Sequence, residues 1–412
     1  MNNTMCFSEN GKLDKVAWFI SVFLFSSSII FESYSWGKIV LIFGAVVLFF
    51  IDSFLNHAKY YFRFSSIHKF ILLLFLFTLM SSVWAVRPLE SLQKAYSYFQ
   101  ILIFVSIIYN HFIVYDDEEN LLSVLKWSSY VISVYSIIFY GYSFIIRMIT
   151  TGIRIENSYT NINTIGMLAS FGIILKIDEI IRNKSIGFDV FLCIPNFVML
   201  LATQSRKALL LLVFGVFMVL IFRNLNNRRK LNSIIKFSAI TLFAVIAVLL
   251  MARLEIFSGI NSRMVSLFAL FTGQGRVDNS AFLRDTFIHV GFEIFKKNPI
   301  VGVGVGCPRF LNEMMSGYDT YLHNGFIEVL AGGGIIGFMI YYGSYFYLFC
   351  NFFRFRKQRE ILFPICLLLT ILFFFRDFAM VSMYDKSMFF FFLIPFIFVD
   401  HLKFKSKYKQ EM

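Results

Sequence analysis

The sequence predicts an all-α membrane protein of about twelve transmembrane helices with one large hydrophilic segment at the outer face. Three observations predict it. Hydrophobic residues make up 58% of the chain and charged residues 15%, where a soluble domain carries charge on about a quarter of its residues. Apolar runs recur from end to end, long enough at about 1.5 Å per residue to cross a hydrocarbon layer about 30 Å thick. Lysine and arginine collect in alternate short loops, as they do on the cytoplasmic side of a membrane.

Read in order, the apolar runs are 16–34, 37–55, 69–86, 95–113, 121–149, 163–181, 187–203, 207–222, 234–252, 324–351, 361–375 and 387–401. Lys12 and Lys15 precede the first run, and no small-residue cleavage pattern appears before Glu32, so that helix is expected to stay in place. The pair 187–203 and 207–222 is interrupted at Gln204–Lys207 and reads as two short or tilted segments. With the N-terminus inside, the cytoplasmic loops hold Lys59, Arg63 and Lys69, then Arg182 and Lys184, then Arg223, Arg228, Arg229, Lys230 and Lys236, then Arg354, Arg356, Lys357 and Arg359. Both termini are therefore expected on the cytoplasmic side. The acidic run Asp116–Glu119 also falls inside, where acids count for little in the rule.

The expected organisation is helices over 1–252, an outer-face loop over 253–322, and closing helices with a cytoplasmic tail over 323–412. Residues 253–322 carry Arg253, Arg263, Arg276, Arg284, Lys296, Lys297 and Arg309 on the side that short loops keep free of cations. A loop of this length translocates whatever its charge. An anionic ligand gives the cations a function, and a lipid diphosphate places its charge at headgroup level within their reach. The net charge of +13 does not indicate nucleic acid, because no basic module lies outside the membrane segments. Of the cysteines Cys6, Cys193, Cys307, Cys350 and Cys366, only Cys307 lies in the loop, so packing and not a disulfide must order it.

Within the loop, Leu283, Phe287, Val290 and Ile294 recur at helical spacing, and Asn298-Pro299 ends the pattern, which predicts a helix over Ser280–Lys297. Arg284 sits near its start, where unpaired backbone N–H groups favour an anion. The alternating glycines of Val301–Gly306 follow a helix and not a strand, so they read as a tight turn and not as a nucleotide loop. His323 and Asn324 stand at the mouth of the next span, and a histidine of ordinary pKa can take a proton from a sugar hydroxyl at neutral pH. Glu328, one turn inside, is costly in lipid and should face the protein to satisfy a buried donor or orient a neighbour. Arg206 follows the 187–203 span, where a guanidinium can clamp phosphate or simply snorkel to the surface. Arg154, Asn163, Arg276, Asn324 and Glu328 are expected as substrate-binding residues. No Asp-x-Asp and no paired histidines appear in the loop, so neither a metal nor a cofactor is expected.

At these residues the chain resembles the O-antigen ligase and O-antigen polymerase superfamily. Ser205-Arg206 after a span, Arg284 followed by a helix and then Pro299 to Gly304, and His323-Asn324 leading to Gly334–Gly337 are similar to three separated family elements. Ser82–Ala85 with Pro88, and Asn161-Ile162-Asn163, are weaker ones. Ile288 stands where the family has an aromatic residue. The resemblance implies a glycosyltransferase C-type fold and metal-independent, inverting transfer from an undecaprenyl-diphosphate-linked glycan at the outer face. Arg206 and Arg284 would hold the diphosphate, and His323 would orient or deprotonate the acceptor. It favours a polymerase of O-antigen or capsule repeat units, with a chain-length regulator as protein partner. An O-antigen ligase acting on lipid A-core is the nearest alternative, and a lipid-linked oligosaccharide transporter or an assembly scaffold are more distant ones.

Overall fold

The computed structural model describes residues 11–31, 43–44, 46–47, 49–50, 63–114, 118–151, 153, 159–183, 187–224, 279–357, 360–378, 380–384 and 386–411. The ninth span (234–252) and the first part of the loop lie outside the described residues, as do Arg154 and Arg276. Among the described residues the long elements are all helices: α1 Gly11–Ile30, α2 Ser66–Ser81, α3 Pro88–Val114, α4 Glu118–Tyr140, α5 Tyr142–Thr151, α6 Ile162–Asn183, α7 Cys193–Thr203, α8 Arg206–Asn224, α9 Asn279–Lys297, α10 Pro308–Ser316, α11 Gly325–Phe355, α12 Phe363–Arg376 and α13 Lys386–Glu411. Among the described residues three stretches are long and apolar enough to cross a membrane, Pro88–Ile113, Glu119–Tyr140 and Gly325–Phe355. Trp18–Ser27, Ser66–Ser81, Val190–Thr203 and Phe363–Arg376 are shorter apolar helices.

Two expected spans are cut by identifiable residues. The run 121–149 is not one helix: Gly141 adopts a left-handed φ of 79° between α4 and α5, a conformation that glycine takes without Cβ strain. The run 187–203 opens with the tighter 3₁₀ turn Phe188–Leu192, and α7 begins only at Cys193. Pro195 then occupies the first turn of α7, where its missing N–H costs no bond.

The main core is built by aromatic rings. Phe171 of α6 packs 5.1 Å from Phe373 of α12 and 5.4 Å from Phe391 of α13 between ring centroids, and all three rings are buried. At the far end of α6 from Asn163, Asp178 is 2% exposed in its side chain and takes both Nε (2.7 Å) and Nη2 (2.8 Å) of Arg223 from α8. A buried carboxylate needs such a fork-to-fork partner, and here it locks α6 against α8.

A second core joins the loop to the bundle. Phe287, Val290 and Ile294 of α9 pack with Val303, Cys307, Leu322 and Ala331, so the apolar stripe of the loop helix faces protein. The glycine segment explains how. Helix α11 is broken at Gly334 (φ 61°, ψ −162°), and the segment 299–304 takes up the backbone groups the break frees. Val303 and Gly304 donate to the carbonyls of Ala331 and Gly332 at 3.0 Å, while Ile335 and Ile336 donate to those of Pro299 (2.8 Å) and Ile300 (3.1 Å). On its other side, Val86 N donates to the Val303 carbonyl at 3.1 Å and Trp84 Nε1 to that of Val301 at 3.3 Å. Backbones can approach this closely only without side chains: a Cβ on Gly302 would lie 2.4 Å from the Gly332 carbonyl carbon.

Candidate active site

The chain reaches the site through a turn that is tied on every side. Helix α10 ends at Gly317 in a left-handed cap, and the buried Asn312 donates from Nδ2 to the carbonyls of Tyr318 (3.1 Å) and Thr320 (3.0 Å). Leu322 is fully buried, and its N–H donates to Oε2 of the buried Glu328 at 3.0 Å. Asn324 caps α11, accepting from Ile327 N at 3.1 Å through Oδ1 and donating from Nδ2 to the Phe378 carbonyl at 3.3 Å. Gly325 N donates to the Asp377 carbonyl at 2.6 Å.

His323 lies between these anchors with a φ of 55°. A side-chain-bearing residue in this region is strained by about 1–3 kcal/mol and persists only where its surroundings hold it there. Its ring is half-buried, 5.8 Å from Phe287 at an interplanar angle of 18° and 4.2 Å from Tyr321. Phe287 is three residues beyond Arg284, so one face of α9 supplies both the ring contact and a cation. Burial, then the charges of Arg284 and Lys207, lower the His323 pKa from 6.5 to about 4. The imidazole is therefore neutral at neutral pH, and the charges of one cation from α8 and one from α9 act on it.

The strand of chain before α8 is shaped for that approach. Gln204 is left-handed (φ 48°) and donates from Nε2 to the Met148 carbonyl. This ends α7 and starts α8 at Arg206, with Lys207 next. Ser205 Oγ is buried with no hydrogen-bond partner among the described residues. The first turn of α8 also presents backbone N–H groups and the positive end of the helix dipole to the same region.

Residues 191–342 match the O-antigen ligase family. Among curated proteins nothing matches the chain. The match supports a function of the O-antigen ligase or polymerase type in general, a family whose substrates are lipid-linked glycans, and the apolar helices agree with a multi-pass membrane protein. The matched O-antigen ligase segment runs from α7 to the middle of α11. It holds Arg206, Lys207, Arg284, His323, Asn324 and Glu328.

The sequence candidates occupy different positions in the structure. Arg284 is near enough to His323 for its charge to lower the pKa of the ring, and Arg206 is placed by its backbone at the start of α8, its side chain lying outside the described residues. Glu328 accepts from the Leu322 N–H next to His323, and Asn324 caps α11 and bonds to the Phe378 carbonyl, so both hold the backbone on either side of His323. Asn163, in the first turn of α6, bonds back to Asn161 Oδ1 through its N–H (3.0 Å) and Nδ2 (3.2 Å). Among the described residues no three His, Cys, Asp or Glu side chains cluster as metal ligands. Sequence reasoning missed Lys207 and the aromatic pair Phe287 and Tyr321. Lys207 was visible as the second cation of one interruption, whereas the ring contacts depend on α9 folding back over the turn.

Proposed function

We propose that the protein is a glycan polymerase. It joins undecaprenyl-diphosphate-linked repeat units of O-antigen or capsule at the outer face of the bacterial inner membrane, by metal-independent inverting transfer. The observation that carries this reading is a half-buried neutral imidazole, held on a strained turn and stacked on Phe287, that feels the charges of one cation from α8 and one from α9. In a single displacement the acceptor hydroxyl oxygen bonds to the anomeric carbon as the bond from that carbon to the diphosphate oxygen breaks. The hydroxyl proton passes to His323, and the departing electron pair stays on the diphosphate, beside Arg284 and the first turn of α8.

The depressed basicity of His323 fits this sequence of events. Arg284 and Lys207 repel a proton from the ring while the site is empty. A bound diphosphate neutralises them and raises the basicity of the imidazole when the acceptor must be deprotonated. The donor is already activated by its diphosphate, so no nucleotide sugar is needed.

A ligase is the second reading, favoured by the family that residues 191–342 match; the donor chemistry is shared and only the acceptor changes. Deleting the gene and separating the surface glycan on a gel distinguishes the two. A single repeat unit left on lipid A-core marks a lost polymerase. Bare core with glycan retained on the carrier would refute the polymerase reading in favour of the ligase. His323→Ala and Arg284→Ala proteins present at normal level should each abolish extension, and persistence of long glycan in both would leave only a scaffold role.

A further inference from the structure

Beside the candidate site, helices α6, α8 and α12 enclose a cavity of about 310 Å³ lined by Met167, Lys207, Leu210, Leu211, Phe214, Leu372, Phe375 and Arg376. Its size falls at the lower end of small-molecule sites. The lining is apolar except for the two cations. Arg376 closes α12 and is 5% exposed, yet its Nε and Nη1 are buried with no hydrogen-bond partner among the described residues. The neighbouring Asp377 carboxylate accepts from Tyr342 (3.2 Å) and Ser382. Donors left unmade on a buried guanidinium are costly, the more so among apolar side chains. Lys207 links this cavity to the catalytic turn, because the same side chain that lines it also acts on the charge of His323.

We propose that this cavity is a lipid-diphosphate site in which Arg376 binds the phosphate and Leu210, Leu211, Phe214 and Phe375 receive the first units of a polyprenyl chain. An apolar groove ending in cations complements an anionic head on a hydrocarbon tail; Arg376 has the Asp377 charge and the Phe373 ring (5.5 Å) beside it, and phosphate oxygens would complete its unmade Nε and Nη1 donors. The inference rests on the reading of the chain as a lipid-linked glycan transferase. It adds Arg376, which lies outside the O-antigen ligase match, as a substrate-binding residue and defines where the carrier enters.

The test uses the full chain in neutral detergent micelles, with farnesyl diphosphate, inorganic diphosphate and farnesol as probes and binding read directly. Farnesyl diphosphate should bind at least about tenfold more tightly than either fragment. Arg376→Gln should weaken it about tenfold or more, the loss expected when a hydrogen-bonded charge pair is removed, with farnesol unchanged and Arg376→Lys partly restored. Leu210→Trp, at a wall position 51% exposed, should weaken farnesyl diphosphate and farnesol but leave inorganic diphosphate alone; it decides the matter if Arg376→Gln does not fold. Equal farnesyl diphosphate affinity in wild type, Arg376→Gln and Leu210→Trp would overturn the proposal. So would inorganic diphosphate binding as tightly as the lipid, which would mark a free-anion site, or displacement by an equal concentration of phosphatidylglycerol, which would mark a general headgroup site. Binding is measured without glycan transfer, so the failure of this site and the failure of the transferase reading give different results.

Discussion

Replacing Gly334 with alanine tests whether the break in α11 holds the site together. The residue sits at φ 61°, ψ −162°, a region open essentially to glycine alone, where another residue is strained by about 1–3 kcal/mol. Space is lacking as well: the new Cβ would lie 2.3 Å from the Ile300 carbonyl oxygen and 2.6 Å from Val301 N. Both are backbone atoms, so relief requires the segment 299–304 to withdraw. The nearest casualties are the bonds from Ile335 and Ile336 to the Pro299 and Ile300 carbonyls, at about 1 kcal/mol each. Strain and lost bonds together make Gly334→Ala destabilising by about 3–5 kcal/mol. Gly343, later in the same helix, is the control. A Cβ there meets only Phe70 Cε1 at 3.6 Å, an ordinary contact, so Gly343→Ala should be neutral or stabilising by up to about 1 kcal/mol. Thermal unfolding of both purified variants in one detergent measures the contrast, and glycan extension in cells measures whether α9 still presents Arg284. If Gly334→Ala unfolds within a degree or two of Gly343→Ala, the break does not carry the strain assigned to it.

Other outcomes follow from the same geometry. Because the native pKa of His323 lies near 4 and the ordinary value is 6.5, a step needing neutral imidazole keeps its rate as pH falls through 6. The acid limb of kcat/KM should therefore lie below 6, and Arg284→Ala should move it upward; a limb at or above 6.5 would refute the neutral-imidazole reading. The linked stability effect has the opposite direction: between pH 6.5 and 4 the unfolded chain binds a proton that the native ring does not, so acidification across that window lowers the melting temperature. Asn324→Ala removes the cap of α11 and should lower stability by about 1 kcal/mol, with Asn324→Ser, which keeps a capping oxygen, losing less on thermal unfolding. Glu328→Leu leaves the buried Leu322 N–H without its acceptor and should cost about 1–3 kcal/mol, whereas Glu328→Gln preserves an acceptor and should melt close to wild type.

The loop helix over Ser280–Lys297 was readable to within one residue, because its apolar stripe has the helical period and Asn298-Pro299 stops it. The interruption at Gln204–Lys207 was readable too, since two polar residues and two cations cannot continue an apolar run. The break in α11 was not. Consecutive glycines permit a break without requiring one, and the partner that makes it favourable lies about thirty residues earlier in the chain. Trp84 was visible only as a motif residue, and its bond to Val301 explains what that motif holds.

Composition and periodicity by themselves determined the helical, membrane-spanning character of the chain, because burial in lipid and helix period act locally along the sequence, and the motifs nominated Arg284 and His323 only as candidates. Only the tertiary structure decided which cation meets His323, why that ring is neutral, and that Arg376 faces a cavity. Each of these depends on electrostatics and desolvation between helices far apart in the chain.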